Sequence, residues 1–140
     1  MNRLIFIYLF SVILLNNALA QQNNNEFRAN WVITWEYISG SSSVDQNKAR
    51  IRQILDEHKA GNFTSVLWQV RQSGTAYYNS SYEPWGSYAG GTYPGFDPMA
   101  YAIEEAHKRG LEFHAWFNVF SAGSTAPGTP AQQHPEWICR

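Results

Sequence analysis

Three runs of this chain end in polar side chains able to do chemistry together: Glu36, Arg71 and Asn118, with Gln69, His114 and Trp116 just behind them. Alternate residues of a strand share one face. Positions 32, 34 and 36, positions 67, 69 and 71, and positions 114, 116 and 118 therefore form three rows. Each is more polar than its opposite row, which reads Trp31, Ile33, Trp35; Val66, Trp68, Val70; and Phe113, Ala115, Phe117. If the polar rows point inward, Glu36, Arg71 and Asn118 converge on one mouth. Glu36 is the only carboxylate at such a strand end, which makes it the candidate for acid–base work. Arg71 suits a ligand, and equally an ion pair with Glu36 beneath the rim. His114 fits an acid–base role or a satisfied interior histidine, and Asn118 fits a ligand contact or a tie for its own loop. No spacing of His, Cys and Asp resembles a metal site. His107 and His114 fall on different elements, and no cofactor is expected.

A second chemical feature is the stretch 72–96, longer than the roughly 12–15 residues that connections seldom exceed. It sets Tyr77, Tyr78, Tyr82, Trp85, Tyr88 and Tyr93 among Gly, Ser and Pro. Flat aromatic faces beside hydroxyl-bearing loops suit sugar rings, and Trp85 is the ring singled out for substrate contact. The same rings could instead pack on one another as a lid.

The elements that must position these groups follow from local signals. Residues 28–35 read as a first strand, rich in β-branched and aromatic residues. Ser43 with Gln46 forms a capping box, and Ile51, Ile54, Leu55 and His58 make one helical stripe. Gly61 is expected to supply the left-handed residue that ends this helix. Residues 63–70 read as a second strand, apolar on both faces as in a helix-covered parallel sheet. Asp97 and Pro98 open a second helix as N-cap and first residue. Met99, Ala102, Ile103 and Ala106 form its buried stripe, and the pairs Glu104–Lys108 and Glu105–Arg109 its wet face. Gly110 stops it, and residues 111–119 form a third strand. The order β-α-β-α-β predicts a parallel α/β sheet. The first turn has no Gly-x-Gly-x-x-Gly and the chain has no phosphate-cradling Gly-Lys-Ser/Thr, which disfavours a nucleotide-binding sheet. The alternative is the N-terminal part of a (β/α)8 barrel, about three β/α units. A whole barrel takes about 250 residues, so the repeat is expected to be incomplete.

The first twenty residues read as a signal peptide, with Arg3, an apolar run over 4–15 and Ala18-Leu19-Ala20 before the cleavage point. That predicts a secreted or periplasmic protein with no membrane attachment after cleavage. Residues 21–25 are a polar linker, and residues 26–140 form the domain. The formal net charge of −1 in 140 residues offers no basic patch for nucleic acid. The single cysteine, Cys139, leaves stability to packing.

Several ordered motifs then carry a resemblance. Gln69-Val70-Arg71, Glu83-Pro84-Trp85, Gly95-Phe96-Asp97-Pro98, residues 104–110 (Glu-Glu-Ala-His-Lys-Arg-Gly), His114-Ala115-Trp116-Phe117-Asn118 and His134-Pro135-Glu136-Trp137 resemble the glycosyl hydrolase-like family 10 domain. The similarity spans residues 26–140. It implies a (β/α)8 TIM barrel that binds or cleaves glycans, including peptidoglycan strands in some relatives, with Arg71, His114, Trp116 and Asn118 as rim positions. It also implies that further catalytic carboxylates lie on later strands, so the segment alone is expected to be inactive. The competing readings are a non-catalytic carbohydrate-binding module and a truncated product without function.

Overall fold

A computed structural model describes residues 26–121 and 128–138. The expected signal peptide and linker lie outside the described residues, as does Cys139. Strand β1 (Ala29–Val32) is followed at once by a single helical turn, α1 (Thr34–Tyr37), and then by α2 (Val44–Ala60). Strand β2 (Ser65–Gln72) turns back into the short β3 (Thr75–Ala76). Helix α3 (Pro98–Lys108), β4 (Glu112–Phe117), the short α4 (Pro130–Gln133) and a 3₁₀ turn (Pro135–Trp137) complete the order.

β2 lies between β1 and β4, parallel to both, and β3 pairs antiparallel with its end. This is a mixed α/β sheet with its long helices packed against one face. Among the described residues it is open, and barrel closure is not a feature of it. Ser73 and Gly74, with φ of 52° and 73°, form the two-residue link between β2 and β3. Both central residues are left-handed, as a tight hairpin turn requires, so the stretch after Gln72 begins as a hairpin and not as a free loop.

The helices form where their caps place them. Ser43 accepts from the Gln46 amide while Gln46 accepts from the Ser43 amide, closing the capping box at the start of α2. Asp97 Oδ1 accepts from Ala100 at the start of α3, and its Oδ2 accepts from Asn79, which ties the tyrosine-rich stretch to the helix. Both helices end in the same pair of bonds: Asn62 to Lys59 and Phe63 to His58, then Gly110 to His107 and Leu111 to Ala106. The left-handed residue of α2 is Asn62 (φ 59°), not Gly61, whose φ is −76°. In α3 it is Gly110 (φ 67°).

Val32, Val66, Trp68 and Val70 face Ile51, Ile54 and Leu55 of α2 and Ala102 and Ala106 of α3, all essentially buried. Each large aliphatic side chain so buried contributes about 1.5–3 kcal/mol. Glu105, expected on the wet face of α3, is buried instead. It pairs with Lys108 and Arg109, and Arg109 reaches across to Asp56 of α2 at 2.7 Å. The expected Glu104–Lys108 pair forms at 2.7 Å on the surface.

One expectation inverts. In β1 the core-facing residue is Val32, while Trp31 stands on the opposite face, ring to ring with Trp116 at 4.7 Å. The register agrees, since Trp31 lies beside Leu67, and Leu67 beside His114. The reason is that the strand ends at Val32. Thr34 donates its amide and its hydroxyl to Gln69 Oε1, both at 3.2 Å, and Tyr37 donates to the Gln69 carbonyl at 2.7 Å. These bonds bend the chain into α1, so residues 34 and 36 do not continue a strand row.

Candidate functional site

Parallel α/β sheets bind ligands at the carboxyl ends of their strands, and there a groove of about 360 Å³ opens beyond β2 and β4. Its polar lining is Arg71, Glu83 and Ser80; Tyr78, Tyr82, Phe117, Val119 and Pro130 make the apolar walls. A bulge in β2 builds it: Gln69 lies beside Trp116, yet Arg71, two residues on, lies beside Phe117. Such a bulge re-aims the side chain that follows it.

All three nitrogens of the Arg71 guanidinium meet protein partners. Nε meets both Glu83 oxygens, at 2.8 and 3.0 Å, and the second terminal nitrogen meets Glu83 Oε1 at 2.7 Å. The first terminal nitrogen donates to the Asn118 carbonyl and, at 3.4 Å, to those of Val119 and Ser121. The two side chains are only 13% and 9% exposed, so this bidentate pair is largely shielded from water. It clamps the stretch after β3 to the segment after β4, the two walls of the groove. Ser80 holds Glu83 in place by accepting from its amide at 3.1 Å.

The other expected site residues divide. Glu36 is not on a strand end: it sits exposed on α1, its carbonyl accepting from Arg50, and Arg71 pairs with Glu83 instead of with it. The single mouth expected from Glu36, Arg71 and Asn118 therefore does not form. Arg71 and Asn118 come together, through the Asn118 backbone. His114 and Trp116 share the open face of the sheet with Trp31, where His114 bonds Glu112 at 3.1 Å and meets the Phe27 ring edge-on at 5.3 Å. Accepting from His114, then from Ser65, holds the Glu112 carboxyl below its usual range. Trp85 packs against the core, bridges Ala76 and meets Tyr93 edge-on, so it is a wall of the fold more than a free ring.

Glu83 is the acidic residue that strand reasoning missed, because it lies in irregular chain where alternation says nothing. The signal was the Glu83-Pro84-Trp85 motif itself. Among the described residues, no group of three or more His, Cys, Asp or Glu is placed to hold a metal ion.

Residues 24–140 match the model of the family described as glycosyl hydrolase-like 10. The chain belongs to that family. It is 36% identical over 94% of its length to the glycosyl hydrolase YngK of Bacillus subtilis (strain 168), of which it covers 28%. It is 33% identical over 86% of its length to the glycosyl hydrolase DigH of Escherichia coli (strain K12), of which it covers 34%. The chain thus spans about a third of the length of these relatives.

Proposed function

We propose that the chain supplies the first strands of a secreted or periplasmic (β/α)8 glycoside hydrolase, and that its strand-end groove holds part of a glycan chain. The observation that carries this is an aromatic-walled groove at the carboxyl ends of parallel strands, in a chain of a glycosyl hydrolase-like family. Tyr78, Tyr82 and Phe117 present ring surface for the C–H faces of sugars, while Ser80 and the carbonyls beyond β4 suit hydroxyl groups. The apolar run and Ala-Leu-Ala of the leader support export.

Retaining and inverting glycosidases use two carboxyl groups, about 5–5.5 Å or about 6.5–9.5 Å apart. In this groove Glu83 is the one carboxylate among the described residues, and Arg71 occupies both its oxygens. The segment by itself therefore binds without turning over, and Glu36 takes no part in bond cleavage. The same occupancy favours, as second reading, a purely binding role. Incubating the 140-residue chain with peptidoglycan glycan strands and with plant and fungal polysaccharides, and measuring new reducing ends, tests the point. The expected result is no release above buffer. Turnover that Glu36→Gln abolishes would restore Glu36 as a catalytic residue and overturn the account.

A further inference from the structure

A pair of exposed rings lies apart from the groove. Trp35 on α1 is 50% exposed and Tyr88 on the 3₁₀ turn Ser87–Ala89 is 40% exposed. Their centroids are 5.6 Å apart with the planes inclined at 57°. The two come from segments more than fifty positions apart, yet both backbones are pinned. Gly40 and Gly90 are in main-chain contact, and a Cβ on Gly40 would stand 2.6 Å from Gly90 Cα. Gly86 lies on the buried Tyr77 ring so closely that a Cβ there would come within 2.2 Å of it. On the other side, Asn47 is buried and exchanges two 3.0 Å bonds with the Ser39 backbone. Tyr37 and Arg50 hold α1 from below and beside.

Among the described residues these two rings are braced in the open. Rigid Trp and Tyr rings lose little side-chain entropy when a ligand covers them. Glu36 and Ser87, the chain neighbours of Trp35 and Tyr88, are exposed as well. A flat C–H face with hydroxyls around its edge complements two such rings, and the glycan-binding reading of the chain selects that occupant over a cation, which aromatic faces also attract. We propose that Trp35 and Tyr88 form a second sugar-binding platform, taking one pyranose ring of a glycan, with Glu36 accepting from its hydroxyls. The proposal rests on the glycan-binding reading of the chain. It also gives Glu36 a contact role in place of the catalytic one expected of it.

The test is isothermal titration of the full 140-residue chain with chitohexaose and, separately, cellohexaose, which distinguishes N-acetylated from plain sugar rings. Trp35→Ala and Tyr88→Ala are each expected to weaken binding about tenfold, on the scale of one lost aromatic face. Trp35→Phe, which keeps a ring and guards against misfolding, retains most of the affinity. Binding of either hexasaccharide with this pattern supports the platform. Affinity unchanged in Trp35→Ala but lost in Tyr82→Ala overturns the platform and leaves the groove standing. Absence of saturable binding by the unaltered chain overturns both. A dimer in sedimentation velocity that Trp35→Ala dissociates makes the rings a self-interface and overturns the platform alone.

Discussion

Arg71 shows how one side chain decides the shape of a site it does not offer to a ligand. Its fork binds Glu83, and its remaining nitrogen holds the carbonyls that follow β4. Removing one member of a shielded pair leaves the other charge without compensation, which costs about 3–5 kcal/mol. Arg71→Ala should therefore lower unfolding free energy by about 3 kcal/mol in urea titrations. Arg71→Met with Glu83→Leu should recover much of that loss, since neither charge is then stranded. A double-mutant cycle with coupling below about 0.5 kcal/mol would mean the pair does not hold in solution. Tyr37 is a similar case with a neutral partner. Its hydroxyl donates to the Gln69 carbonyl from a buried position, and burial pushes its pKa well above the usual phenol value. Tyr37→Phe should cost about 0.5–1.5 kcal/mol by removing that buried bond, read as a lowered melting temperature.

Helices α2 and α3 were legible because their signals are local. Ser43 and Gln46, Asp97 and Pro98, and the stripes at 51, 54, 55 and 58 declare themselves within a few positions. The end of β1 was not, because it depends on Gln69, far along the chain, accepting from Thr34. Residues 28–35 have strand-like composition throughout, so nothing local marks the turn after Val32, and the error in length became an error in face. The helix stops separate in the same way. Gly110→Ala forces a Cβ into the left-handed region and should destabilise by about 1–2 kcal/mol, whereas Asn62→Gly, at the equivalent place in α2, should be neutral or mildly stabilising. Thermal melts of the two variants would reverse this order only if the helix ends differ from those described. Glu105 braces Arg109, which reaches across to Asp56 of the other helix, and it carries a pH signature. Accepting first from Lys108 and then from Arg109 lowers its carboxyl below the ordinary 4.5. A lowered carboxyl adds stability that is present above the unfolded value and is lost as pH falls through the folded one. The unaltered chain should therefore lose stability more steeply below about pH 4.5 than Glu105→Gln does, as measured by urea midpoints across pH 3–7. Parallel curves would mean that Glu105 does not hold its bonds to Lys108 and Arg109 in solution.

Among the described residues, helices cover one face of the sheet and leave the other exposed. Trp31 is 57% exposed, and Trp116, Leu67 and His114 stand on the same face beside it. Among the described residues the outer edges of β1 and β4 carry no strand partner. Unpaired parallel edges and a broad apolar face both promote association. In a barrel this face would be the interior, packed by the side chains of further strands. The barrel proposal therefore predicts a specific behaviour for the 140-residue chain. It should associate as concentration rises, in sedimentation velocity, and bind a hydrophobic dye. Trp31→Lys should reduce both effects, because a charge then occupies the centre of the exposed face. Val32→Lys, one residue away but pointing into the core, should instead unfold the chain. If Trp31→Lys and Val32→Lys exchanged these outcomes, the two faces of β1 would be assigned the wrong way round. The Trp31–Trp116 row would then lie against the helices, and the open face could not be a barrel interior.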